Sequence, residues 1–129
     1  MLENLPNLKF VGLQSTGYNV IDCKAARARN ITVSNIPAYS TTGVAQLVFA
    51  FILQVADNVS LHSDAVHNGE WCECPDFCFW KTPLTELDGK TIGIIGFGSI
   101  GRRVAQIANA FGMNVEVFTT HPKPDEYKN

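Results

Sequence analysis

Six residues constrain this chain more than any others: Gly96-Phe97-Gly98-Ser99-Ile100-Gly101. They follow the apolar run Thr91-Ile92-Gly93-Ile94-Ile95, which a turn at Asp88-Gly89 introduces. They open a segment from Arg102 to Phe111 in which Val104, Ile107, Ala108 and Phe111 recur at helical spacing. Gly112 stops that segment, and Asn114-Val115-Glu116-Val117-Phe118 reads as the next strand. G-x-G-x-x-G alone is a weak signal, but between a strand and a helix in a βαβ unit it specifies dinucleotide binding. Gly96 permits the tight turn, Gly98 lets backbone approach a pyrophosphate, and Gly101 lets the helix lie close to the strand. The amides around Ser99 and Ile100 would face the phosphates, aided by the helix N-terminal dipole.

The dinucleotide is NAD or NADP. An acidic residue that binds the adenosine ribose stands about 20 residues beyond such a loop. Here that place is held by Thr119, with Thr120, His121 and Lys123 close behind. The missing carboxylate removes repulsion of a 2′-phosphate, and Lys123 or protonated His121 could attract one. No arginine clamps that strand end, so both cofactors stay open.

The N-terminal third repeats the βαβ pattern without the G-x-G-x-x-G motif. Leu8 to Leu13 reads as a strand and Ser15-Thr16-Gly17 as its turn. Asp22 caps a helix over Cys23 to Arg29, Asn30 takes the left-handed helix-ending position, and Ile31-Thr32-Val33 is the second strand. Pro37 closes the unit. A single long helix is expected from Thr41 or Thr42 to about His67, with Val44 to Leu53 apolar on nearly every face and therefore buried all round. Gly69 to Asp88 reads as an aromatic loop that packs on something, since it holds Trp71, Phe77, Phe79 and Trp80.

Composition excludes several function classes. The chain has 129 residues, 46% hydrophobic and 17% charged, with a formal net charge of -2, so it is not disordered and carries no basic field for nucleic acid. The run Val44 to Ala56 is too short to span a bilayer, and Met1-Leu2-Glu3-Asn4 does not begin like a signal peptide. No membrane partner and a cytoplasmic location are expected. Cys72, Cys74 and Cys78 form C-x-C-x₃-C without a fourth ligand at a familiar spacing, so no metal site is assigned.

The order of motifs resembles the D-isomer-specific 2-hydroxyacid dehydrogenase family. The resemblance runs through Gln14-Ser15-Thr16-Gly17-Tyr18-Asn19-Val20-Ile21-Asp22, Ala25-Ala26, Val33-Ser34-Asn35-Ile36-Pro37, Val44-Ala45 and the glycine loop. Cys74-Pro75-Asp76-Phe77-Cys78-Phe79-Trp80, with Pro83-Leu84 and Glu86-Leu87, looks most like its bacterial glycerate dehydrogenases (hydroxypyruvate reductases). The resemblance implies an α/β chain: a partial flavodoxin-like substrate domain over residues 1–40, then a connecting helix, loop and first βαβ unit of a Rossmann domain over 41–129. It implies an oxidoreductase that moves hydride between NAD(P)H and a small 2-keto or 2-hydroxy acid, hydroxypyruvate/D-glycerate foremost. Ser15, Thr16 and Gly17 match the loop that holds the substrate carboxylate. Val44 matches a position near the nicotinamide, while Gln46 replaces the family's glutamate. The family's arginine, glutamate and catalytic histidine have no match here, and His62, His67 and His121 do not take the last role, so no catalytic residue is assigned. The chain is thus expected to be a piece truncated at both ends, inactive alone, that pairs as a homodimer through the 42–67 helix. The other reading is a catalytically silent dinucleotide-binding or dimerising module.

Overall fold

The computed structural model describes residues 2–120 and 122. It divides into two compact units, the first ending at Thr41 and the second beginning at Thr42.

The first unit starts with a short 3₁₀ turn, Leu2–Asn4, whose Leu2 carbonyl accepts from the Arg29 guanidinium. Strand β1 (Phe10–Gly12), helix α1 (Cys23–Ala28) and strand β2 (Thr32–Ser34) follow. The strands pair in parallel with Val11 opposite Val33, so this is the expected βαβ unit with strands trimmed to three residues each. Asp22 caps α1 as expected, its Oδ1 accepting from the amides of Lys24 at 3.0 Å and Ala25 at 2.9 Å.

Asn30 has φ +56°, and the amides of Asn30 and Ile31 return to the carbonyls of Arg27 and Ala26. That is a Schellman motif, in which a left-handed residue lets two amides cap the last helical carbonyls. The motif recurs twice in the second unit, with Gly69 and Gly112 in the left-handed place. Asparagine tolerates this conformation better than other side chains, which explains why the first unit ends its helix without glycine.

The second unit corrects the sequence reading at its longest element. Thr41 to His67 is two helices, α2 (Thr41–Asp57) and α3 (Val59–His67), bent by 60° at Asn58. Asn58 takes φ +49°, its side-chain amide donates to Thr82 Oγ1 at 3.1 Å, and its carbonyl accepts from the His62 amide. Among the described residues no single helix is long and apolar enough to cross a membrane.

Expected all-round burial of α2 also gives way to a one-sided arrangement. Ala45 and Phe49 are buried in the core, flanked by Val48 and Ile52. Leu47, Phe51 and Val55, four residues apart, form an open stripe, Phe51 at 63% and Val55 at 79% exposure.

Strands β3 (Thr91–Ile95) and β4 (Asn114–Phe118) pair in parallel, with Ile94 opposite Val117 and Ile95 opposite Phe118. Helix α4 (Ser99–Ala110) connects them and starts three residues earlier than the sequence spacing suggests. Val104, Ala105 and Ala108 of α4 join Ala45 and Phe49 of α2, Ile94 and Met113 in one core. Phe49 also stacks on Phe111, with ring centroids 5.3 Å apart.

The 69–88 segment is loop, as expected, and part of it packs. Trp71 lies 5.6 Å from Phe79, whose ring lies 6.4 Å from that of His62. His62 Nδ1 donates to the Asn58 carbonyl and Nε2 accepts from the Lys81 amide at 3.1 Å, so the ring proton sits on Nδ1. A Lys81–Glu70 ion pair closes the loop. Phe77, at 94% exposure, and Trp80 stay in solvent, against the expected packing.

Candidate functional site

The glycine loop joins β3 to α4, and its three glycines are needed for three different reasons. Gly96 has φ +91°, a left-handed conformation that L side chains resist, and its amide donates to the Phe118 carbonyl at 2.8 Å. That bond ties the turn to the end of β4. Gly101 lies in the first turn of α4, where a Cβ would fall 2.3 Å from the Gly96 carbonyl oxygen and 3.3 Å from Ile94 Cγ2. The helix therefore rests on the loop backbone itself.

Gly98 differs from both. Its backbone is extended, at φ -80° and ψ -161°, and a Cβ there would meet nothing within 4 Å. Neither strain nor crowding inside the chain demands glycine at this place. Open space beside bare backbone is what a closely approaching ligand requires.

Gly98 is also the N-cap residue of α4 and offers no side chain to its first turn. The Gly98 carbonyl takes the Arg102 amide at 3.0 Å. Among the described residues the amides of Ser99, Ile100 and Gly101 have no acceptor. Those amides, with the positive end of the helix dipole, present a row of donors of the kind that suits an anion. The adjoining pocket of about 490 Å³ is lined by Gly96, Gly98, Ser99, Ile100, Gly101, the β3 residues Ile92–Ile95, Val104 of α4 and Val48 of α2. Its walls are apolar and carry no carboxylate, histidine or cation. Donors along one side and aliphatic walls on the other fit a dinucleotide, whose pyrophosphate takes hydrogen bonds and whose base rings pack on apolar surface.

The structure thus gathers Gly96, Gly98, Ser99, Ile100 and Gly101 at one pocket. Val44 is not in its lining; Val48, one turn further along α2, is. The sequence reading missed Val48, although the i, i+4 spacing puts the two valines on one helix face. Thr119 directly follows β4, beside the Phe118 carbonyl that anchors Gly96, so it stands at the strand end next to the loop. His121 and Lys123 lie outside the described residues.

In the first unit Ser15 and Thr16 lie in the bend after β1, with Gly17 directly following it. Ser15 Oγ donates to the Gly17 carbonyl at 2.8 Å, and Thr16 Oγ1 donates to the Ile36 carbonyl at 3.2 Å. Asn35 Nδ2 donates to the Thr16 carbonyl at 2.7 Å, and the Ile36 amide to that of Ser15 at 3.1 Å. These bonds consume carbonyls. Among the described residues the amides of Thr16 and Gly17 have no acceptor, leaving two donors on a bend fixed from the far side. Cys74 Sγ donates to the Cys78 carbonyl, and the described residues hold no group of three His, Cys, Asp or Glu side chains placed for a metal ion.

The comparisons with known proteins agree with this geometry. The family model for the D-isomer specific 2-hydroxyacid dehydrogenase, NAD binding domain, matches residues 49–129. A hydroxypyruvate reductase from Blautia hydrogenotrophica is 45% identical over 124 residues, 96% of this chain and 38% of the relative. A glycerate dehydrogenase from Methylorubrum extorquens is 34% identical over 122 residues, 95% of this chain and 39% of the relative. The chain therefore spans well under half the length of these relatives. Among solved structures, a 2-hydroxyacid dehydrogenase from Ketogulonicigenium vulgare superposes with a TM-score of 0.84 at 27% identity, over 98% of this chain and 38% of that one. D-lactate dehydrogenase from Aquifex aeolicus, solved with NAD and lactic acid, superposes with a TM-score of 0.74 at 34% identity, over 96% of this chain and 36% of that one. With a parallel strand–glycine loop–helix–strand unit matching part of a Rossmann domain in these structures, the chain belongs to the D-isomer specific 2-hydroxyacid dehydrogenase family through its NAD binding domain.

Proposed function

We propose that this chain supplies the pyrophosphate cradle and the substrate-carboxylate loop of a hydroxypyruvate reductase, an enzyme that interconverts hydroxypyruvate and D-glycerate. The observation that carries the reading is Gly98: backbone at a helix N-terminus facing open space, beside three amides without acceptors. Ser99, Ile100 and Gly101 would hold the phosphates through those amides, and Gly96 keeps the turn tight beneath them. Val48 and the aliphatic residues of β3 wall the pocket, with Val44 one turn away. Thr119 takes the ribose-facing place, and its lack of charge leaves both NAD and NADP acceptable. When bound, a nicotinamide dinucleotide supplies the hydride. Ser15, Thr16 and Gly17 would orient the 2-keto acid through the amides of Thr16 and Gly17. The likeness to a hydroxypyruvate reductase at 45% identity and a glycerate dehydrogenase at 34% identity supports this substrate class.

The described residues that line the pocket include no histidine, carboxylate or cation to serve as a general acid. We therefore propose that this stretch of sequence, as a fragment of such an enzyme, binds but does not turn over. A catalytically silent dinucleotide-binding or dimerising module is the second reading, favoured by that same absence. The described cysteines are free, which suits the reducing cytoplasm. The open stripe on α2 suits a homodimer formed through residues 42–67.

Titration of the chain with NADH and NADPH, followed by nucleotide fluorescence, tests the binding reading. Saturable binding that Gly98→Val abolishes while the chain stays folded is the expected result. Equal affinity in that variant would overturn it. Turnover of hydroxypyruvate by the chain alone would overturn the binding-only part.

A further inference from the structure

Phe97 carries the only side chain between Gly96 and Gly98, so it is a handle by which a side chain can hold the tip of the loop. Its ring is half-buried and packs against the edge of the core. The guanidinium carbon of Arg102, one turn into α4 and itself half-buried, lies 5.0 Å from the ring centroid. Neither side chain lines the pocket, whereas the glycines on both sides of Phe97 do. The pair therefore grips the loop from outside the pocket.

The two glycines give the Gly96–Gly98 segment more backbone freedom than most tripeptides, and whatever freedom its backbone bonds leave is lost when a ligand binds. Fixing its middle residue beforehand removes part of the cost. We propose that Arg102 is a positioning residue for dinucleotide binding: through its contact with Phe97 it holds the Gly96–Gly98 backbone in the cradle conformation before the nucleotide arrives. This role rests on the reading of the loop as a dinucleotide site. Arg102 acts through the aromatic ring and not as a charge on the pyrophosphate.

The test uses the full chain and the variants Arg102→Met, Arg102→Lys, Phe97→Leu and the Arg102→Met/Phe97→Leu double. NADH affinity is measured at low and high salt, and amide hydrogen exchange over residues 97–101 is measured without nucleotide. Each of Arg102→Met and Phe97→Leu is expected to raise Kd about two- to fivefold, the range a partly exposed cation–π contact spans. The double should lose no more than the larger single, Arg102→Lys should recover most of the affinity, and exchange should quicken in both single variants. A loss in Arg102→Met that disappears at high salt, with Phe97→Leu unaffected, would overturn the role in favour of direct phosphate contact. A lower melting temperature with unchanged Kd and exchange would overturn it in favour of packing alone. Failure of the unaltered chain to bind any dinucleotide would overturn the underlying reading together with this role. Normal binding with silent variants would remove this role only.

Discussion

The carbonyl oxygen of Gly96 occupies the space that a side chain at Gly101 would need: a Cβ there would lie 2.3 Å from it. The obstruction is backbone, and Gly96 is itself held by a 2.8 Å bond to the Phe118 carbonyl, so the loop cannot simply swing aside. Gly101→Ala should therefore destabilise the chain by roughly 1–3 kcal/mol, as overpacking does, although alanine is about 1 kcal/mol the better helix former. Gly98→Ala should cost no more than about 1 kcal/mol, the loss of a better N-cap, since its Cβ meets open space. Its main loss should appear in dinucleotide affinity. Urea unfolding beside NADH titration separates the two variants, and equal behaviour in both assays would contradict the division of roles.

That division was legible in the sequence only as a motif. The motif gives Gly96 the tight turn, Gly98 the open approach and Gly101 the close helix, but not what each would meet, the Gly96 carbonyl oxygen for Gly101 and open space for Gly98. Asp22, Asn30 and Gly112 were readable because helix caps depend on local backbone geometry, which is written within a few residues. The break at Asn58 was not. An apolar period continues on both sides of it, and the bond that helps hold the left-handed asparagine reaches Thr82, twenty-four residues away. The open stripe on α2 escaped for a related reason: Leu47, Phe51 and Val55 look like core residues, and only the placement of β3 and α4 shows which face they cover. Val48 was missed because the resemblance pointed to Val44.

The shared helix ending makes a second prediction. Gly112 has φ +71°, and a Cβ there would fall 1.9 Å from Asp88 Oδ1. Gly112→Ala should cost at least the roughly 1–2 kcal/mol of a left-handed alanine. Pairing it with Asp88→Ala should recover the part due to the clash and leave the backbone part. Asn30→Gly, by contrast, keeps the motif of α1, while Asn30→Ala should weaken it. Exchange of the Ile31 and Met113 amides, which bond to Ala26 and Ala108, reports each motif separately.

Helix α1 has six residues and leans on one side chain for its start. Asp22 Oδ1 accepts from two of its first amides, so Asp22→Ala should cost about 0.5–2 kcal/mol, while Asp22→Ser or Asp22→Asn should restore most of it. The effect should be local. Exchange should quicken through Cys23–Ala28, with the glycine loop and its nucleotide affinity unchanged, and a change in NADH affinity would contradict the treatment of the two units as separate cores.

The bend at Asn58 makes the last of the loop predictions. His62 is bonded at both ring nitrogens, to the Asn58 carbonyl and the Lys81 amide, and its ring contacts Phe79. His62→Ala should release the 70–82 segment from α3, seen as faster proteolysis after Phe77 or Lys81, without loss of the β3–α4 core.

Association through α2 gives the most discriminating experiment on assembly. Leu47, Phe51 and Val55 present three large apolar side chains in one row, and Phe51 and Val55 also border an apolar pocket with Ile52, Ala56 and Leu87. A row of this kind gains from being covered, at about 25 cal/mol for each Å² of apolar surface removed from water. Phe51→Lys puts a charge at its centre, where burial without a partner is costly. Because the Phe51 side chain is 63% exposed within the chain, the substitution should leave the fold and the nucleotide affinity intact while lowering the sedimentation-derived mass toward that of one chain. A single-chain mass for the unaltered protein at high concentration would exclude self-association through this face. A dimer that survives both Phe51→Lys and Val55→Lys would place the contact elsewhere.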